Sequence, residues 1–171
     1  METAIKLFAE SGVNTVKVDD ICGQLSISKK TFYKYFQSKE GLTRHLSDKL
    51  LTSTLSKLQG TVGNNMNIKE EASQIFDILN QFFHHYSISF FNDIKTHYPE
   101  IFEDFVNVKG EIIKEVMEEN IKKGISLGFY NKTLNPNMVA QWWFEVIWLA
   151  YVLKHPPGLV KELFINGLVK Q

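Results

Sequence analysis

Between Ser26 and Leu42 the chain reads SISKKTFYKYFQSKEGL. Four lysines (Lys29, Lys30, Lys34, Lys39) and four aromatics (Phe32, Tyr33, Tyr35, Phe36) fall within these seventeen residues. Two of the lysines follow Ser28 and one follows Ser38, serines placed to cap helices. A helix N-terminus is partly positive, so a lysine there is unfavourable by roughly 0.3–1 kcal/mol, and Asp or Glu would be the stabilising choice. The chemistry that rewards cations at such a place is anion recognition. A lysine can grip a phosphate or read guanine O6 and N7, and the Thr31 methyl can meet a thymine methyl. Within 28–49 six Lys/Arg stand against two Asp/Glu, although the whole chain has zero net charge. A local basic patch suits a local anionic partner; the plainer alternative is a solvated helix face.

Other chemistries find little support. His84 and His85 are adjacent, so on a helix their imidazoles diverge by about 100° and make a poor chelate. There is no His-x-x-x-His pair, no glycine-rich phosphate loop and no ordered Ser/His/Asp set. The single cysteine, Cys22, excludes an internal disulfide and a cysteine-based zinc cluster, and it sits on an apolar face with no nearby histidine. No catalysis, cofactor or metal is expected. One cysteine also suits a cytoplasmic location. The opening METAIKLFAESG lacks a basic region followed by an apolar one, so no signal peptide is expected. The most apolar run, 138–153, is sixteen residues long and contains Gln141 and Glu145, too short and too polar to cross a bilayer.

The elements that must position the basic segment are helical. Ala4, Ile5, Leu7 and Phe8 have helical spacing before Gly12, as do Val18, Ile21, Cys22 and Leu25, with Asp19 and Asp20 in a favourable first turn. Ser28 opens a third short helix and Ser38 a fourth, which runs to about Leu58. The turn-rich QGTVGNNMN at 59–67 follows. Further helical patterns cover 70–91, an aromatic segment interrupted by Pro99, 108–127 ending at Gly128, 136–153 capped by Asn135 with Pro136 at its first position, and 159–169 after the turn HPPG. No strand-like alternation, repeat or low-complexity tract is present. The fold class is all-α, with about nine helices: a helix-turn-helix domain over 1–48 and a helical domain over 49–171.

The tight link GQLSIS between the second and third helices has the pattern of a helix-turn-helix, whose second helix enters the DNA major groove. With Ala4 to Phe8, Gly12, Val18 to Cys22, Tyr33 to Phe36 and Lys39 to Leu42, the N-terminal part resembles the DNA-binding domain of the TetR family of bacterial transcriptional regulators. The resemblance implies that Lys29, Lys30 and Thr31 face base edges. It implies that Tyr33 and Tyr35 meet phosphate, base or backbone, and that Lys39 grips a phosphate. With Lys17 and Lys34 these form the expected DNA-contacting set, whereas Phe32 and Phe36 belong to the core. Three positions depart from the family pattern. Lys17 replaces the hydroxyl residue that usually caps the second helix, a loss of about 1 kcal/mol unless Thr15 or Asn14 caps from further out. Cys22 replaces alanine, and Ser26 replaces the glycine of the turn. The family's first helix ordinarily begins about one turn earlier.

For the second half the resemblance implies homodimerisation through a four-helix bundle built from the last two helices of each subunit. The apolar character of 136–153 on nearly every side requires partners on two sides. The expected interface residues are Met138, Trp142, Trp148, Tyr151, Leu159 and Phe164. A small-molecule effector is expected between the middle helices, against Phe82, Tyr86, Phe90, His97, Tyr98, Phe105 and Trp143. The function so implied is sequence-specific binding of a near-palindromic operator. Repression relieved by the effector is the commoner form, although no residue distinguishes it from activation. The alternative is an adaptor that keeps the helix-turn-helix fold and binds a protein partner instead of DNA.

Overall fold

The computed structural model describes residues 2–62, 67–85, 87–104 and 109–169. Among these the fold is all-α. The helices are α1 (Glu2–Ser11), α2 (Val18–Leu25), α3 (Lys29–Phe36), α4 (Lys39–Thr61), α5 (Ile68–His84), α6 (Ile88–His97), α7 (Pro99–Glu103), α8 (Lys109–Ser126), α9 (Pro136–Val152) and α10 (Pro157–Leu168). An isolated antiparallel bridge joins Tyr130 and Val169. The described helices are one more than the periodicity suggests, because the pattern over 70–91 is broken. Ser87 is extended and its Oγ accepts from the Phe90 N–H at 3.2 Å, which starts a new helix. The apolar spacing runs through the break, since Phe82, Phe83, Phe90 and Phe91 are all buried.

The expected caps form. Ser28 Oγ accepts from Thr31 N at 3.1 Å, Ser38 Oγ from Gly41 N at 2.9 Å, and Asn135 Oδ1 from Met138 N at 3.1 Å. Each satisfies one of the N–H groups that a helix start leaves without a partner.

Contacts divide the chain into two units: 1–52 with 85–108, and 53–84 with 109–171. The core of the first includes Phe8, Val13, Ile21, Phe32, Leu42 and Leu46, together with Phe90 and Ile94 of α6 and Ile101 of α7. α6 is joined to the end of α1 by polar contacts. Ser87 N donates to Ala9 O at 3.1 Å, and Asp93 Oδ2 accepts from Asn14 N at 2.7 Å. Gly12, with φ +78°, is needed there twice over: its backbone is left-handed, and a Cβ would come within 2.6 Å of Asp93 Oδ2. α7 is tied to α4 by Arg44, whose guanidinium reaches Asp104 at 2.8 Å and Glu100 at 3.4 Å.

The second unit is built from α5, α8, α9 and α10 with the C-terminal part of α4. Ile75, Phe76 and Leu79 of α5, Ile113, Met117 and Ile121 of α8, and Trp143 and Ile147 of α9 are buried. Trp143 stacks on Phe164 of α10 with centroids 4.8 Å apart. None of the described helices is long and apolar enough to cross a membrane.

Candidate nucleic-acid interface

The link between α2 and α3 turns on Ser26, which adopts φ 51°, ψ 41°. Ile27 N donates to Cys22 O at 3.0 Å and Ser26 N to Gly23 O at 3.3 Å. These two bonds are the Schellman pattern that closes a helix on a left-handed residue. A side chain in that conformation is strained, and glycine is not. Ser26→Gly should therefore stabilise the protein by about 0.5–1 kcal/mol, read from urea unfolding curves. A loss of stability would mean that the serine side chain contributes more than its backbone costs.

α2 starts at Lys17, which is extended and has no hydroxyl to offer. Asp20 supplies the compensating bond: its Oδ2 accepts from Lys17 N at 2.8 Å. That is the returning half of a capping box, made without the forward half. Asn14, a candidate cap in sequence, is held through its backbone N–H, which donates to Asp93 Oδ2.

α3 presents the basic face. Phe32 is fully buried and Phe36 half-buried, their rings 5.5 Å apart, so the apolar side of the helix is turned inward. Lys29, Lys30, Tyr33, Lys34 and Tyr35 are exposed and Thr31 is partly so; Tyr35 is 71% accessible, unusual for an aromatic without a partner surface. Lys29 Nζ lies 2.7 Å from Asp19 Oδ1, and that contact raises its pKa. Lys39 opens α4 half-buried, its Nζ donating to Asn14 O at 3.1 Å. Burial lowers its pKa, partly offset by the carboxylates of Asp93 and Asp20. A cation held where burial disfavours its charge gains when an anion arrives, because the anion restores the stabilisation that water no longer supplies. The expected DNA-contacting residues, Lys17 included, thus all lie in the first unit, on α3 and at the starts of α2 and α4.

The residues expected around an effector are distributed differently. Phe90, His97 and Tyr98 belong to the first unit, and Phe82 and Trp143 to the second. Phe82, Phe90 and Trp143 are buried and His97 is exposed. Tyr98 is half-buried, and burial first, then the carboxylates of Glu40 and Asp93, raise its pKa. Tyr86 and Phe105 lie outside the described residues. Among the described residues no cluster of histidine, cysteine, aspartate and glutamate is arranged to hold a metal ion.

Of the residues expected at a subunit interface, Met138, Trp142 and Leu159 are exposed. Trp148 and Tyr151 are half-buried beside Phe83, at 5.3 and 6.2 Å, and Phe164 is half-buried on Trp143. Val146, Leu149, Leu153 and Leu163 are exposed too. Positions 142, 146, 149 and 153 follow one helical stripe, a spacing visible in the sequence once the opposite stripe is assigned to the core.

Residues 1–46 match the model of the bacterial regulatory proteins, tetR family. Residues 1–46 are thus a TetR-family N-terminal domain. An uncharacterized HTH-type transcriptional regulator of Bacillus subtilis, YuxN, is 40% identical over 58 residues, 34% of this chain and 20% of that protein. The chain spans less than half the length of the curated relatives it matches. Beyond the N-terminal domain the likeness is one of fold. The TetR-family regulator PfmR from Thermus thermophilus superposes over 99% of this chain and 98% of its own, with TM-score 0.79 and 18% identity. AibR, solved in complex with isovaleryl coenzyme A and operator DNA, superposes over 98% and 95%, with TM-score 0.72 and 16% identity. The fold of the whole chain is that of a TetR-family transcriptional regulator, an N-terminal helix-turn-helix followed by a helical C-terminal part.

Proposed function

We propose that this TetR-family chain is a cytoplasmic homodimeric regulator that binds a near-palindromic operator through α3 and is released from it by a small molecule. The observation that carries the reading is the placement of lysines at the starts of α3 and α4, against the helix dipole, with Lys39 partly desolvated. DNA is the partner that rewards both: phosphates complete the Lys39 site, and base edges meet Lys29, Lys30 and Thr31. Lys17, Tyr33, Lys34 and Tyr35 extend the contact to the backbone. Residues 1–48 form the DNA-binding domain, and 49–171 hold the effector and the dimer contacts. A C₂ dimer would set two α3 helices about 34–36 Å apart, one turn of duplex. Repression relieved by an effector is the form of regulation we favour. AibR, solved with both isovaleryl coenzyme A and operator DNA, shows that the same fold can hold a small molecule and an operator. The Trp143 indole N–H, buried without an acceptor among the described residues, supports an effector contact on α9.

Selection of bound duplexes from a random pool at two salt concentrations tests the reading. A near-palindromic sequence should be enriched and should be lost at high salt through counterion release. Lys39→Ala should weaken binding to every duplex about equally and reduce the salt slope by about 1, whereas Lys30→Ala or Thr31→Ala should relax preference at single positions by about 1–3 kcal/mol. The second reading is an adaptor binding a protein through the same surface. It would be favoured if no duplex is enriched at either salt and neither substitution matters.

A further inference from the structure

The ion pair between Lys29 and Asp19 has a role beyond stability. Both side chains are mostly exposed, 59% and 63%, and a pair this open adds little to folding. Nor does α2 need Asp19 as its cap, because Asp20 makes that bond. Yet Asp19 Oδ1 sits 2.7 Å from Lys29 Nζ and joins the start of α2 to the first residue of the recognition helix. It is a negative charge placed inside a surface that must approach polyanionic DNA.

We propose that Asp19 is a specificity-determining positioning residue, which holds Lys29 back from phosphates and directs it to a base. This rests on the DNA-binding reading above. An ammonium has three donors. Paired with Asp19, Lys29 can keep one hydrogen bond to the carboxylate and offer the others to guanine O6 and N7. On non-operator DNA, where contacts are to phosphates, Lys29 must leave Asp19 to take part, and Asp19 itself faces the backbone charge. The carboxylate thus penalises non-specific complexes more than the specific one, which is discrimination by an unfavourable element.

The test compares the wild type with Asp19→Asn on two duplexes, one selected from a random pool by the wild type and a scrambled one of equal length. Asp19→Asn should tighten the scrambled duplex about five- to tenfold and steepen its salt slope by about 0.9, the increment for one further phosphate neutralised. The selected duplex should tighten by no more than about twofold, so the specificity ratio falls. Asp19→Glu should restore the wild-type ratio. In a Lys29→Gln background Asp19→Asn should lose most of its effect, the sign of direct coupling between the two positions. Equal gains on both duplexes, or an unchanged salt slope, would overturn the inference while leaving DNA binding intact. Failure of the wild type to enrich any duplex would overturn the DNA-binding reading and this inference with it.

Discussion

Trp142→Glu combined with Leu149→Glu should yield a folded monomer with strongly weakened operator binding. Both residues are more than half exposed, at 56% and 53%, so neither substitution opens a cavity in the subunit. Each instead puts a carboxylate on the stripe formed by Met138, Trp142, Val146, Leu149 and Leu153; Leu159 and Leu163 of α10 are exposed as well. So many large apolar side chains on two helices that pack together are rarely left to water in a monomer. In a two-fold interface every substitution acts twice, so the pair introduces four charges into one desolvated contact. Once dissociated, a subunit reaches only one half-site, and operator affinity should fall by about 10²–10⁴-fold as the effective concentration of the second half-site is lost. Sedimentation equilibrium and duplex titration read the two effects, and an unchanged far-UV spectrum shows that the fold is kept. A variant that stays dimeric would place the interface elsewhere on the surface.

Gly124→Ala has the largest expected effect on stability. Glycine inside α8 normally weakens a helix, so the substitution alone would add about 1 kcal/mol of propensity. At this position the Tyr130 ring lies against the helix backbone, where a Cβ would overlap it. Tyr130 cannot move aside freely. Its backbone N–H bonds Gly124 O at 3.1 Å, and its hydroxyl lies 3.1 Å from Ile68 O and 3.2 Å from Asn120 Oδ1, its one proton serving one of them at a time. Asn120 Nδ2 in turn donates to Glu71 Oε1 at 2.9 Å, and Glu71 Oε2 lies 3.5 Å from Lys123 Nζ. Tyr130, Asn120 and Glu71 are all buried. Burial, and next the Glu71 carboxylate, hold the Tyr130 phenol far above its ordinary pKa, so it stays a neutral donor. Overpacking of about 1–3 kcal/mol, plus about 1–3 kcal/mol for buried polar groups that lose a partner, outweighs the propensity gain. The net loss should be about 2–4 kcal/mol in urea unfolding. Gly167→Ala, where a Cβ meets open space, is the control and should not destabilise. Equal stability of Gly124→Ala and wild type would show that Tyr130 finds another position at no cost.

Much of the helix-turn-helix part was legible because its signals are local. Ser28 and Ser38 cap the helices that follow them, and Phe32 turns inward while its lysine neighbours turn outward, all within a turn or two of chain. At Ser26 the sequence marked only a turn that usually takes glycine; its left-handed backbone came from the structure. The break at Ser87 was missed because buried aromatics continue on both sides of it, and hydrophobic period alone does not register a cap between them.

The sequence by itself therefore determined the helices, the helix-turn-helix and the charge placed at the starts of α3 and α4. These depend on spacings of three to seven residues, where backbone geometry ties residue type to direction. Only the structure revealed that Asp20, three residues on, rather than Asn14 or Thr15 supports the start of α2. It also decided that Asp93 of α6 closes on Gly12 and Asn14, that Lys29 meets Asp19, and that Gly124 makes room for Tyr130. It selected which stripe of α9, apolar nearly all round, is left exposed. Most of these contacts join residues on different elements. Their partners are chosen by packing, which leaves no periodic trace in the chain, and their strength comes from burial that exists only once the elements have met.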